Sequence, residues 1–95
     1  MKVAKEFKFW NSTTRVSQGY FVEVDLAEFP QLESFARESY KSNWKVHDFL
    51  SYVAIRRAYA LAVKEGVISN EQMAELMGPF RDEAKFEDEV ILSGR

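Results

Sequence analysis

Few side chains in this sequence carry chemistry. His47 is the one histidine, and it stands beside Asp48, the two residue types from which a general base and its orienting carboxylate are made. Sequence neighbours on a helix do not face one another. With no cysteine and no second histidine, a zinc site cannot be completed either. His47 therefore reads as a surface or partly buried histidine. No catalytic residue, metal or cofactor is expected, and phosphate-loop, nucleotide-fold, hydrolase-elbow and zinc-protease motifs are absent.

The remaining candidates suit binding. Arg56 and Arg57 sit among apolar residues in the middle of a helical stretch. On one reading, one is a surface residue and the other pairs with a carboxylate of the hairpin. On the sharper reading they anchor a partner, because arginine joins planar hydrogen bonding to stacking and is enriched in hot spots. Glu71, Glu75, Asp82, Glu83, Glu87, Asp88 and Glu89 fall within nineteen residues. Folded onto one face they would meet a basic groove; as a solvated run they would only confer solubility. Partner contact is thus expected from Trp10, Arg15, Arg56, Arg57, Glu83, Glu87, Asp88 and Glu89.

Two nucleic-acid readings stand beside this one. Residues 44–77 have the spacing of a helix-turn-helix around Gly66. Its second helix, however, carries Glu71 and Glu75 and no Lys or Arg, a poor composition for phosphates and base edges. The first strand interleaves Lys8 and Trp10 with Phe7 and Phe9, as single-strand binders do. Alternation puts Phe7 and Phe9 on the face opposite Lys8 and Trp10, which leaves the two phenylalanines to the core.

These residues depend on a small set of elements. Residues 2–10 and 20–26 alternate with period two, so an antiparallel hairpin is predicted, joined by a polar loop over 11–19. Long loops in small domains are often functional. Pro30 suits a first helical turn, and Leu32, Phe35, Ala36, Ser39 and Tyr40 continue with helical spacing. A central helix spans about 44–65, apolar over more than half its circumference, with Ser51, Ala54, Ala58 and Ala62 forming a row of small side chains. Such a helix is buried on several sides, by its own chain or by a second copy. Gly66 ends it. Ser69 opens a third helix with a capping box to Gln72 and a staple of Ile68 with Met73, closing at Gly78-Pro79. Residues 80–86 suit a further turn or two of helix, and Val90, Ile91 and Leu92 a last short strand beside the hairpin.

Ninety-five residues make one domain, 1–95, with an α+β fold: the hairpin and short C-terminal strand packed against three helices. The net charge is -2, and dedicated nucleic-acid binders usually show a basic excess. Residues 1–66 hold ten basic and eight acidic groups, against three and seven in 67–95, so the acidity lies in the C-terminal third. The absence of cysteine favours a reducing compartment. MKVAKEFKFW shows no signal-peptide apolar run, and charges interrupt 44–65 too often for a membrane span. A cytoplasmic location is expected, where the Asn11-Ser12-Thr13 sequon has no meaning.

Eight Phe, four Tyr and two Trp exceed what a core of this size requires, leaving room for an exposed aromatic patch. The leading functional expectation is a small non-enzymatic protein-binding module, an inhibitor or adaptor of a larger intracellular complex. Compact, cysteine-free, mildly acidic chains are common among bacterial and phage accessory proteins that block host machinery. Nucleic-acid binding through residues 44–77 or the Lys- and Trp-bearing hairpin is the alternative. A homodimer is compatible with either.

Overall fold

The computed structural model of the chain describes residues 2–32 and 43–92. The architecture is α+β, with one antiparallel hairpin and helices packed on one of its faces. Strands β1 (Lys2–Asn11) and β2 (Val16–Asp25) pair from Lys2↔Asp25 to Asn11↔Val16. The period-two pattern dictates which face turns inward. Val3, Val22 and Val24 are buried and Phe7, Phe9 and Tyr20 half-buried, while Lys2, Glu6, Lys8, Trp10, Phe21 and Glu23 point to the other face and are exposed.

The loop predicted over 11–19 contracts to Ser12–Arg15. Asn11 is the cause. Its side-chain oxygen accepts the N–H of Thr13 (3.0 Å) and Thr14 (3.3 Å), and its amide nitrogen donates to Gln18 (2.8 Å). Arg15 takes the left-handed conformation (φ 57°), and its N–H closes on the Asn11 carbonyl at 2.7 Å. An Asx-type turn of this kind reverses the chain within four residues, so the polar stretch Val16–Gly19 pairs as strand despite its loop-like composition.

Asp25 and Glu28 close a reciprocal cap over the short turn Leu26–Glu28, and a second turn, Pro30–Leu32, seats the fully buried Leu32. That second turn covers only the first residues of the helix predicted from Pro30. Its continuation, with Phe35, Ala36, Ser39 and Tyr40, lies outside the described residues.

Helix α1 (Asn43–Lys64) touches both strands and the two helices that follow it. It buries Val46, Phe49, Leu50, Tyr52 and Val53, and the predicted small-residue row Ala54, Ala58, Ala62 has no exposed surface. Ala54 and Ala58 share a core cluster with Val3, Val22 and Val24; short side chains there let the helix approach the sheet closely. Two aromatic clusters grip its ends. Phe49 meets Phe29 edge-on at 5.2 Å and Phe86 at 5.5 Å, with Tyr52 reaching Phe80 at 5.9 Å. Tyr59 meets Phe9 at 5.4 Å and Phe7 at 6.3 Å, and Phe9 meets Tyr20 at 5.8 Å. Such pairs add about 0.5–1.5 kcal/mol each beyond the area they bury. The Tyr20 hydroxyl is shielded and, among the described residues, makes no close hydrogen bond. Weak hydrogen bonding toward the Glu65 carboxylate first, then burial of the hydroxyl and the Glu65 charge, push this phenol up to about 12.

Gly66 (φ 76°) stops α1 as predicted. The N–H of Gly66 reaches the Val63 carbonyl and that of Val67 the Ala62 carbonyl, the paired bonds of a Schellman ending. Helix α2 (Asn70–Met77) opens with the predicted capping box. Ser69 Oγ accepts from Gln72 N–H at 3.1 Å, and Gln72 Oε1 accepts from Ser69 N–H at 2.8 Å. A turn over Gly78–Phe80 leads to α3 (Arg81–Phe86).

The predicted C-terminal strand does not form. Residues Glu87–Leu92, including Val90, Ile91 and Leu92, continue α3 as a wider helical turn, and among the described residues the sheet has two strands. Glu87 is held on α1 by Arg56, so the segment is already tied to the helix layer when it reaches its three apolar residues.

One defect in this core is measurable. Ser51 is buried on α1, and among the described residues its hydroxyl has no hydrogen-bond partner. An unmet buried hydroxyl costs about 1–3 kcal/mol, and alanine is also the better helix former. Ser51→Ala is expected to stabilise the protein by about 1 kcal/mol, a rise in Tm of roughly 4–8 °C. Calorimetry of the two proteins checks this.

Candidate partner-binding surface

The hairpin has two faces and α1 covers one. The register places Trp10 opposite Ser17, Lys8 opposite Gly19, Glu6 opposite Phe21 and Ala4 opposite Glu23, all on the uncovered face. Trp10 is 63% exposed and Phe21 66%, four residues apart along the ladder, or roughly 13 Å. Gly19 lies between them and leaves the surface flat; a Cβ there would meet the Glu6 carboxylate at 3.4 Å. Lys8 leans toward Glu6 (3.7 Å), with both side chains well exposed. The face carries Lys2 and Lys8 against Glu6, Glu23 and Asp25, so it has no basic excess.

The residues singled out from sequence fall into separate places. Trp10 and Arg15 share the turn end of the hairpin, and Arg15 is exposed. Arg56 is engaged within the fold. Its guanidinium grips the Glu87 carboxylate with two 2.8 Å bonds, donates to the Tyr52 hydroxyl at 3.2 Å and lies 4.9 Å from that ring's centre. The Glu87 bond raises the Arg56 pKa above its ordinary value, with burial opposing. Arg57 pairs with Glu28 at 2.8 Å, just beyond the hairpin. Both arginines thus hold carboxylates, where the plainer reading expected one. Glu83 is half-buried, Asp88 and Glu89 are exposed, and Glu89 approaches Lys85 at 3.9 Å. These acids sit on the C-terminal helical segment, which packs by Phe86 against Phe49. Trp10 belongs to the opposite end of α1, where Phe9 meets Tyr59. Aromatic and acidic candidates therefore do not converge on one surface.

His47 and Asp48 are both exposed in the first turns of α1. Among the described residues no group of three or more His, Asp or Glu side chains is placed to hold a metal ion, and no helix is long and apolar enough to cross a membrane. On α2, Glu71, Gln72 and Glu75 face solvent, so the helix-turn-helix-like element presents carboxylates where a reader of nucleic acid presents cations.

Phe21 and Leu61, 41% exposed on α1, were not among the residues singled out. The signal for Phe21 was in the alternation, since it shares a parity with Glu23 and Asp25. Leu61 gave no separate signal within a helix apolar nearly all round. No protein-family model, curated protein or solved structure matches the chain, so the surfaces themselves are the guide to function.

Two ion pairs make testable statements. Glu87→Gln keeps one acceptor but leaves the half-buried Arg56 without its counter-charge. A loss of about 1–2 kcal/mol is expected, allowing for the remaining exposure, and urea titration measures it. Glu28 is held below the ordinary carboxylate pKa of 4.5, first by the Arg57 bond and then by the Asp25 N–H. A depressed pKa gives stability that is whole above the unfolded value and lost as pH falls through the folded one. Glu28→Gln should therefore be less stable than the parent at pH 7, with the gap narrowing as pH falls below the ordinary carboxylate value, as urea titrations across pH would measure.

Proposed function

We propose that this chain is a small non-enzymatic protein-binding module, an inhibitor or adaptor of a larger intracellular complex, which meets its partner with the uncovered face of the hairpin. The supporting observation is the pair Trp10 and Phe21, both about two-thirds exposed on that face. Phe7, Phe9, Tyr20, Phe29, Phe49, Tyr52, Tyr59, Phe80 and Phe86 are instead packed against one another. A large aromatic on a flat surface is the usual centre of a protein interface. The acidic C-terminal segment is at the far end of α1 and fits a solvated role. Arg15, at the same end as Trp10, supplies a rim charge.

The nucleic-acid alternative draws on Lys8 lying beside Trp10 and Phe21. Against it stand three carboxylates to two lysines on that face, a balance that opposes phosphate binding.

The test is capture on immobilised protein from bacterial lysate, with and without nuclease, comparing the parent with Trp10→Ala and Phe21→Ala. A stoichiometric partner should survive nuclease, and each variant should weaken its binding by about 2 kcal/mol, roughly 30-fold. Capture unaffected by both substitutions together would reject this face. Material lost on nuclease treatment, with retention falling steeply with salt, would favour the nucleic-acid reading.

A further inference from the structure

Among the described residues, both outer edges of the two-stranded sheet are unpaired, and the two edges differ. β1 carries Lys2, Lys5, Glu6 and Lys8 along its length, the kind of charge that guards an edge against further strands. β2 has no charged residue from Val16 to Val22. Beside the β2 edge lies an open groove of about 450 Å³, formed by strand residues 21–23 and by Arg57, Ala60, Leu61 and Lys64 of α1. Leu61 and Phe21 are the exposed apolar side chains there.

We propose that the occupant of this edge is a second copy of the chain. In that arrangement β2 pairs antiparallel with β2 of the other copy about a two-fold axis at Val22, giving a four-stranded sheet with two α1 helices side by side on one face. The groove lining sets strand residues 21–23 and the α1 stripe 57, 60, 61 and 64 at one level. Its strand lining is centred on Val22, and its helix lining, spaced i, i+3, i+4, i+7, is centred between Ala60 and Leu61. One rotation therefore sets Leu61 against Ala60 of the other copy while pairing the strands.

Spacing agrees. Each copy brings two strands of about 4.8 Å, so equivalent helices lie roughly 9.6 Å apart. That is within the 8–10 Å at which helices pack, and Ala60 leaves room for Leu61.

Charge agrees as well. With Val22 facing Val22, Phe21 faces Glu23, Tyr20 faces Val24 and Gly19 faces Asp25, so no two like charges oppose each other. The two Phe21 rings become one diagonal pair, within reach of contact, and the two solvent-exposed Glu23 carboxylates the other. Lys64 of one copy arrives at Arg57 of the other, whose charge is already met by Glu28 at 2.8 Å. Self-pairing through β1 would instead oppose its lysines. A foreign strand could use the same backbone edge, but it would bring no helix to cover Leu61, whereas a second copy does.

The experiment is sedimentation equilibrium of the full chain from micromolar to millimolar concentration, with hydrogen exchange read at the β2 amides. The expected result is a mass of twice the chain and slow exchange at outward amides of residues 19–25. Leu61→Lys, a change at an exposed position, should raise the dissociation constant roughly tenfold or more without altering the circular dichroism spectrum. Trp10→Ala, away from the seam, should leave the mass unchanged, so this inference and the partner-binding reading fail separately. A single-chain mass up to millimolar concentration overturns it. So does a dimer insensitive to Leu61→Lys with freely exchanging β2 amides. Protection of those amides only on adding another protein would replace the second copy with a foreign strand.

Discussion

A two-stranded sheet cannot hold itself together in water, and everything else here follows from the helix that remedies this. α1 lies on the inward face of the hairpin, and Ala54 and Ala58 bring it close enough for Val3, Val22 and Val24 to be sealed. Larger side chains at those positions would lift the helix off the sheet and open its apolar face to water. The same helix is the floor on which every later element docks. Phe29 and Phe86 converge on Phe49, and Phe80 reaches Tyr52. Truncating a buried phenylalanine typically costs about 3–5 kcal/mol, so in a domain this small Phe49 alone holds a large part of the total.

The polar contacts divide the labour differently. Among the described residues, neither of the two 2.8 Å ion pairs lies within the sheet; both bidentate arginines tie chain segments back to α1. Arg56 fastens the C-terminal helical run through Glu87, and Arg57 fastens the turn after β2 through Glu28. Consecutive residues on a helix point about 100° apart, so one dipeptide clamps two segments on two sides of the same helix. Arg56 is the more shielded, and its stacking on Tyr52 joins that clamp to the aromatic cluster below.

How much of this was legible in the sequence depends on whether the signal was local. The faces of both strands, the end of α1 at Gly66 and the Ser69–Gln72 cap all rest on period or on backbone chemistry within a few residues, and all appear where the pattern puts them. Val16–Gly19 was misjudged because its composition is loop-like while its conformation is set by Asn11 several residues earlier. Val90–Leu92 was misjudged because three apolar residues suit a strand or a helix equally, and the deciding contact, Arg56 to Glu87, spans thirty-one residues. The candidate site was half legible. Trp10 could be placed outward by alternation, whereas the engagement of Arg56 inside the fold could not be read without the distant carboxylate.

The uncovered surfaces are a consequence of element count. One helix, about 10 Å across, covers about two strands' width and one face of a sheet. The opposite face and the outer edges have no element among the described residues to hide them. A chain under no demand to bind would make such surfaces uniformly polar, as β1 does along its own edge with three lysines. Here the open face carries a tryptophan and a phenylalanine, and the β2 edge carries seven uncharged residues in succession. A scattered apolar side chain on a surface needs no explanation. Two large rings sharing a face, next to an edge uncharged from Val16 to Val22, are a different matter. Exposed strand edges of that kind are hazards that sequences normally suppress, and one that is left open fits a surface that is covered when the protein works.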